Sequence, residues 1–157
     1  MATDGDEEAR RRELERCIPS LTGTGYEITS PPEPQYNCVA WAADDVANRW
    51  EDVGGEWYWP AAAVRRDGTM ASLVEAFQAI GYELCETGDV ESGYQKVALY
   101  GLDDAWRHAA KQLADGRWSS KCGFLDDIAH ELLTDVYCDA YGEVCYFMRR
   151  RLGGTKP

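Results

Sequence analysis

A cysteine placed directly after a favoured helix cap is the feature of this sequence that most clearly predicts chemistry. Asn37 is a good N-cap, and the run over 39–47 contains neither glycine nor proline to interrupt a helix. Cys38 would then be the first helical residue, where free backbone N–H groups and the helix dipole favour the thiolate. The sequence predicts a nucleophilic thiol at Cys38, with a small buried apolar cysteine as the alternative. Asn37 is expected to cap the helix, and an oxyanion role is compatible with that cap.

A cysteine nucleophile needs a base that accepts the thiol proton, and the sequence contains two histidines. His108 begins the first predicted strand of a hairpin, so a rigid element would present its imidazole to a helix packed on the same sheet. We therefore expect His108 to be the base. His130 falls in a predicted late helix at helical spacing from Asp126 and Asp127, where a capping, ion-paired or surface role is equally open.

The group that would orient this base is less well defined by the sequence. The dipeptide Asp115-Gly116 predicts a two-residue hairpin turn. Such a turn places four side chains on the sheet face of His108, namely Ala110, Gln112, Ser119 and Lys121. None of them is a carboxylate, so the candidates for the orienting group are Asp127, Ser120 and Gln112. For Asp127 the alternative role is to cap the predicted late helix or to place a favourable negative charge in its first turn.

The elements that must position these residues predict one α+β domain over 21–150. It follows a charged segment over 1–20 with a frayed helix, and it precedes a disordered tail over 151–157. The predicted helices cover 38 to about 48–50, 70–80 and 125–133. The predicted strands cover 82–85, 94–100, 106–113, 117–121 and 141–149.

Composition excludes several classes of function. The net charge of −12 argues against nucleic acid or an anionic membrane as a partner. No apolar run reaches the roughly 18 residues of a membrane span, and the first sixteen residues contain no secretory apolar segment, so a cytoplasmic protein is expected. A chain of this length without a secretory segment predicts reduced thiols. The six cysteines include no C-x-x-C pair, which argues against a metal site. No cofactor is expected.

Several runs of this chain resemble an uncharacterised bacterial domain family over residues 26–150. They are the Asn-Cys-x-Ala-Trp-Ala signature over 37–42, Trp59-Pro60, Gly81-Tyr82, the runs over 96–100, 108–110 and 115–121, and Asp127-Ile128 with His130. In addition, the order of a cysteine on a helix and a histidine on an antiparallel strand is similar to the papain-like superfamily, particularly the NlpC-like peptidases and amidases.

The second resemblance implies a papain-like fold, with a cysteine-bearing helix packed on an antiparallel sheet, Cys38 as nucleophile and His108 as base. The polar third residue of that superfamily has no clear match, because Ser119 or Lys121 stands in the expected neighbourhood. The leading hypothesis is a cysteine hydrolase acting on an intracellular amide, isopeptide or thioester. Four tryptophans are candidates for lining its groove: Trp41, Trp57, Trp59 and Trp118.

The alternative hypothesis is a non-catalytic, acidic interaction module of the immunity type. Its contact surface would be the loop Trp57-Tyr58-Trp59, since aromatic side chains dominate the binding energy of many interfaces. The negative charge favours a basic protein as the partner.

Overall fold

The computed structural model describes residues 4–123 and 125–153, which form a seven-stranded sheet with helices on its faces. The strand order is β1-β6-β5-β4-β3-β7-β2, and every neighbouring pair is antiparallel. The strands are β1 (Glu27–Ser30), β2 (Glu83–Cys85), β3 (Tyr94–Leu102), β4 (Ala105–Gln112), β5 (Trp118–Lys121), β6 (Asp127–His130) and β7 (Glu143–Arg151). The α-helices are α1 (Asp4–Cys17), α2 (Cys38–Ala42) and α3 (Met70–Ala79), and Pro19–Leu21 and Leu133–Val136 form 3-10 turns.

Each face of the sheet carries its own core. On one face α2 and α3 pack with Val97, Leu99, Ala109 and Met148. On the other face the end of α1 and the second 3-10 turn pack with the alternate strand residues Ala98, Tyr100, Ala110 and Ile128. This division follows from the period of two along a strand, which sends successive side chains to opposite faces. We call these the α2 face and the α1 face.

Local sequence explains the two longer helices. Thr69 caps α3 by accepting a hydrogen bond from the backbone N–H of Ser72, and Leu73 and Phe77 lie one turn apart on its buried side. The prediction of this helix is confirmed. In α1 the buried residue is Leu14, and the Arg10 side chain pairs with Asp126 at 2.9 Å, which ties the charged helix to the loop before β6. None of the helices in the described ranges has the length and apolar character to cross a bilayer.

The expected papain-like fold is wrong. The chain forms a seven-stranded antiparallel sheet with few helices, and the predicted late helix over 125–133 is replaced by strand β6. Strand β6 pairs with β5 on one side and with β1 on the other, so its backbone hydrogen bonds go to two neighbouring strands. The spacing of Ile128 and Leu132 also fits one face of a helix, and the long-range pairing with β1 and β5 decided the outcome.

The helix after Cys38 is also much shorter than predicted. It ends at Ala42, and Asp44 adopts a left-handed φ of 62° that no α-helix can contain. At the other end of the chain, β7 extends to Arg151, two residues beyond the predicted strand. Residues 154–157 of the predicted tail, and residues 1–3 of the predicted N-terminal segment, lie outside the described residues.

The hairpin between β4 and β5 differs from the prediction by one residue. Leu113 donates its backbone N–H to Arg117, which leaves a three-residue loop in which Gly116 has a φ of 93°. The ladder therefore pairs Lys111 with Ser119. A shift of one residue moves every side chain of a strand to the other face, so the predicted face of Ser119 and Lys121 is wrong.

Candidate functional site

The Cys38 thiol lies against the backbone of β4 at a position where that strand has lost its β5 neighbour. The β4–β5 ladder consists of the pairs at Lys111 and Gln112. Nearer the start of β4, Sγ of Cys38 contacts the Arg107 carbonyl oxygen at 3.9 Å, and the backbone N–H of Ala109 donates toward the sulfur. The Cys38 side chain therefore contacts backbone polar groups of β4 that lie beyond the last β4–β5 pair.

Burial changes the expected acidity of this thiol. Cys38 is 8% exposed, and desolvation raises its pKa to about 11, against smaller lowering effects of the N–H groups of Ala109 and Val39. The predicted low pKa is wrong for this closed structure. The helix dipole argument fails because α2 has only five residues and the thiol has left water.

Asn37 uses its whole side-chain amide within the fold. Its Oδ1 accepts hydrogen bonds from the backbone N–H groups of Ala40 and Trp50, both at 3.1 Å. Its Nδ2 donates to the Trp50 carbonyl oxygen at 2.7 Å. Asn37 therefore caps α2 and closes the loop that follows it, and its donor group is not directed at Cys38.

His108 leaves β4 on the α1 face and is fully buried. Its ring stacks on Tyr141 with a centroid distance of 4.0 Å and an interplanar angle of 9°, and it meets Tyr100 edge to face at 5.1 Å. Nε2 of His108 lies 3.0 Å from the hydroxyl oxygen of Ser120. Burial, with a smaller contribution from the nearby His130, lowers the pKa of His108 to about 3, so the imidazole is neutral.

The second ring nitrogen of His108 has a different environment. Nδ1 is buried and has no hydrogen-bond partner among the described residues. A buried polar atom without a partner costs free energy, and such atoms are infrequent in folded proteins. Among the described residues Nδ1 of His108 shares this state with three other buried side-chain atoms, Nε1 of Trp59, the hydroxyl oxygen of Tyr82 and Oδ1 of Asp127.

Cys38 and His108 approach the same stretch of β4 from different sides. The thiol contacts the backbone of the two residues that flank His108, whereas the imidazole points to the opposite face. The expected hydrogen bond between the thiol and the imidazole is not formed within the described residues. The structure thus brings the predicted nucleophile next to the predicted base without joining them.

The three candidates for the orienting group have separate positions. Ser120 contacts His108, as described above. Asp127 lies on the α2 face, where its Oδ2 accepts hydrogen bonds from Ser30 at 2.6 Å and Tyr36 at 3.1 Å. Gln112 donates through Nε2 to the Gly88 carbonyl oxygen at 2.6 Å. Of the three, Ser120 alone is hydrogen-bonded to a nitrogen of His108 in the described structure.

The tryptophans divide by exposure. Trp57 is 52% exposed and lines an open depression with Pro34, Arg49, Glu51 and Val53. Trp59 is buried and stacks on Trp106 at 5.9 Å. Trp41 packs on the α2 face, where its indole N–H donates to Ser119 at 2.9 Å. Trp118 is buried at the floor of a second depression beside Gly88 and Phe147.

The sequence left a capping, ion-paired or surface role open for His130, and the structure instead buries it beside Ser120. The His130 ring is buried on the α1 face, with Nε2 at 2.7 Å from the Ser120 hydroxyl oxygen and Nδ1 at 2.9 Å from the Leu132 carbonyl oxygen. The sequence signal was present, since His130 and Ile128 alternate as residues of one strand face do. It was obscured because the segment was assigned to a helix.

The comparisons with known proteins identify a family without identifying an activity. Residues 27–149 match the model of a family described as a domain of unknown function, DUF7689. No curated protein and no solved structure matches the chain.

Proposed function

The chain belongs to the DUF7689 family, and from the geometry of its buried Cys38, His108 and Ser120 we propose that it is a cysteine hydrolase. Cys38 is the nucleophile of this proposal, His108 is the general base, and Ser120 orients the imidazole. The reaction class is acyl transfer from an amide, isopeptide or thioester to water, without a cofactor.

The observation that carries the proposal is the unequal use of the two His108 nitrogens. Nε2 is anchored to Ser120 at 3.0 Å, while the buried Nδ1 has no partner within the described residues. A general base requires this arrangement, in which one nitrogen is fixed and the other is free to accept a proton. A histidine buried only for packing gains nothing from an unpaired nitrogen, because that nitrogen has lost its hydrogen bonds to water.

The proposed reaction has an acylation step and a hydrolysis step, and His108 carries the proton in both. As Sγ of Cys38 bonds to the acyl carbon, the thiol proton moves to Nδ1 of His108, and the carbonyl oxygen becomes an oxyanion near the backbone N–H of Cys38. The bond to the leaving group then breaks, and the leaving amine or thiol takes the proton from His108. Water attacks the resulting thioester, giving its proton to His108, and the acid product departs as the Cys38 thiol regains that proton.

The starting state of the proposed reaction is a pair of neutral groups. Burial raises the pKa of Cys38 to about 11 and lowers the pKa of His108 to about 3, so neither group is ionised at neutral pH. The proton transfer must therefore accompany attack on the substrate, after a movement that brings Sγ to Nδ1. This requirement predicts a characteristic dependence of the rate on pH.

The test uses p-nitrophenyl acetate, a small activated acyl donor, with mass spectrometry of the acetylated peptides. Between pH 5 and 8 the acetylation rate of Cys38 is expected to change little, because both groups of the pair stay neutral over that range. In His108→Gln the rate should rise about tenfold per pH unit, because attack then depends on the small thiolate fraction. At pH 6 the substitution should slow acetylation by about 10²-fold or more.

Two cysteines provide controls for this experiment. Cys122→Ala removes a second buried thiol and should leave the acetylation of Cys38 unchanged. The exposed Cys17 lies outside the proposed pair, so its acetylation should be the same with and without His108. Acetylation of Cys38 that is equally fast with and without His108 would overturn the proposal, as would a chain in which Cys17 reacts and Cys38 never does.

A second candidate function is supported by a different surface. Trp57 and Tyr58 are 52% and 43% exposed, and the neighbouring Val53 is 61% exposed. Exposed aromatic groups of this size are typical contact residues of protein interfaces. With a net charge of −12 on the chain, the partner of this candidate is a basic protein bound without catalysis.

A further inference from the structure

We propose that His130 acts through Ser120 as a positioning residue that fixes the tautomer of His108 and so keeps the lone pair of Nδ1 available. The role of His130 rests on the proposed hydrolase function, but the hydrogen-bond chain itself is a property of the fold. It runs from the Leu132 carbonyl oxygen through His130 and Ser120 to His108.

The chain has a fixed direction because its outer end is a backbone carbonyl. A carbonyl oxygen only accepts, so the Leu132 oxygen requires a proton on Nδ1 of His130, 2.9 Å away. Burial lowers the pKa of His130 and favours the neutral ring, although the nearby Asp135 opposes this effect. With its proton on Nδ1, a neutral His130 presents Nε2 as an acceptor.

The state of His130 determines in turn how the hydroxyl group of Ser120 is oriented. Its single proton is donated to Nε2 of His130, since that nitrogen accepts and lies only 2.7 Å away. The hydroxyl oxygen of Ser120 must then accept from its other neighbour, Nε2 of His108, at 3.0 Å. His108 therefore carries its proton on Nε2, and its Nδ1 is an unprotonated acceptor.

The opposite tautomer of His108 would disable the proposed base. With its proton on Nδ1, His108 would present Nε2 as a hydrogen-bond acceptor. Ser120 has a single hydroxyl proton, so Nε2 of His108 and Nε2 of His130 would compete for it. Nδ1 of His108 would also have no lone pair to offer Cys38. All three side chains are at most 1% exposed, so exchange with bulk water does not average the tautomers freely. His130 thus acts on the reaction without touching the substrate.

The test reads the tautomer directly, by two-dimensional ¹H–¹⁵N correlation of the histidine rings in ¹⁵N-labelled protein at pH 7. The chain has two histidines, so a single substitution assigns both rings. In the unsubstituted chain His108 should be protonated on Nε2 and His130 on Nδ1. In Ser120→Ala and His130→Phe, the His108 ring should become a mixture of both tautomers.

The matched control is the neighbouring serine of the same strand. Ser119 is as buried as Ser120 and loses one hydrogen bond on substitution, to Trp41, but its side chain lies on the α2 face. Ser119→Ala should leave the His108 tautomer unchanged. His130→Gln offers a conservative rescue, because its amide oxygen can accept the Ser120 proton and should preserve the Nε2–H form.

The same variants are then compared in the acetylation assay with p-nitrophenyl acetate. Ser120→Ala and His130→Phe should slow the acetylation of Cys38 at least tenfold, and His130→Gln should retain most of the rate. A His108 ring that stays fully protonated on Nε2 in both Ser120→Ala and His130→Phe overturns the inference. If the tautomers change as expected but the unsubstituted chain is never acetylated at Cys38, the hydrolase proposal fails and the tautomer control remains.

Discussion

The side-chain amide of Asn37 pairs with both backbone polar groups of Trp50, as a neighbouring strand would. Oδ1 accepts from the Trp50 N–H at 3.1 Å and Nδ2 donates to the Trp50 carbonyl oxygen at 2.7 Å. Because Oδ1 also caps α2 through Ala40, one side chain joins the start of the helix to the end of the loop behind it. The position of Cys38 depends on this clamp, since Cys38 is the next residue.

Replacing this clamp should cost more than the loss of an ordinary helix cap. Asn37→Ala removes the cap, worth about 1 kcal/mol, and leaves two buried backbone groups of Trp50 unpaired, for a total of about 2–4 kcal/mol. Chemical denaturation monitored by tryptophan fluorescence measures the change. The control is Asn48→Ala, an exposed asparagine bonded to Asp45, which should change the free energy of unfolding by less than about 0.5 kcal/mol. Equal effects of the two substitutions would contradict the clamp.

Gly142 holds the turn that places Tyr141 on the ring of His108. Its φ is +71°, and an added Cβ would lie 2.1 Å from the backbone oxygen of Gly101. Gly142→Ala is expected to destabilise the fold by more than about 3 kcal/mol, because backbone atoms must move. Gly55 has nearly the same φ, +72°, with no atom within 4 Å, so Gly55→Ala should cost only the strain of that φ, about 1 kcal/mol. Thermal denaturation of the two variants measures both losses of stability, and the difference between them gives the cost of the steric clash at Gly142.

Substitutions of the two tryptophans of the aromatic loop should reduce stability by very different amounts. Trp59 is 5% exposed and packs on Trp50 and Trp106, so Trp59→Ala should cost about 3–5 kcal/mol. Trp57 is half exposed and contacts the Arg49 guanidinium, so Trp57→Ala should cost less than about 1 kcal/mol. Comparable losses in both variants would show that the loop packs differently.

The exposed residues Trp57 and Tyr58 of the aromatic loop would make the contacts of the second candidate function. If the second candidate function holds, Trp57→Ala combined with Tyr58→Ala should weaken binding of a basic protein partner at least tenfold while leaving the thermal midpoint almost unchanged. Calorimetric titration with the partner recovered from cells of the same source gives the affinity. Unchanged affinity in the double variant would exclude this surface, whereas Trp59→Ala is unsuitable because it disturbs the core.

The two buried histidines predict a loss of stability in mild acid. Burial lowers the pKa of both, to about 3 for His108, whereas an unfolded histidine titrates near its ordinary value of 6.5. Between these values the unfolded chain binds more protons, so the stabilisation is complete above pH 6.5 and is lost as the pH falls. The neutral His108 should cost about 2 kcal/mol between pH 7 and 5, before most carboxylates titrate, and His130 should add a loss in the same direction. Denaturation curves across this range measure the slope.

Substitution of either histidine should remove its share of this slope. His108→Gln and His130→Phe are each expected to reduce the dependence of the unfolding free energy on pH, by about 2 kcal/mol between pH 7 and 5 for His108→Gln, whatever their effect on the stability at pH 7. The chain has no other histidine, so the remaining slope in each variant belongs to the other ring. A free energy of unfolding that does not change between pH 7 and 5 in the unsubstituted chain would contradict the burial of both neutral rings.

Part of this structure was predictable because short-range physics specifies it. The spacing of Leu73 and Phe77 predicts α3, and the alternation of apolar residues predicts the strands from β2 to β5 within a few residues. Asn37 beside Cys38 likewise predicts a helix start. These features depend on the periodicity and capping of neighbouring residues, which a single sequence displays.

The hairpin loop shows how a small local ambiguity changes the candidate site. Asp115-Gly116 was expected to form a two-residue turn, and the loop contains one residue more. Because side chains alternate along a strand, that single residue exchanges Ser119 for Ser120 as the neighbour of His108. The sequence places both serines on the strand, but the length of the turn, which decides which of them faces the histidine, is not evident from it.

By itself the sequence determined the identity and order of the reactive groups, a capped Cys38 followed by His108 and two adjacent serines, together with the acidic charge. Only the tertiary structure decided that β6 is a strand, that His130 reaches Ser120, and that the Cys38 thiol is buried and protonated. The physical reason is that pairing between distant strands and desolvation depend on residues far apart in the chain. Acidity and tautomers follow from that packing, and local patterns do not encode it.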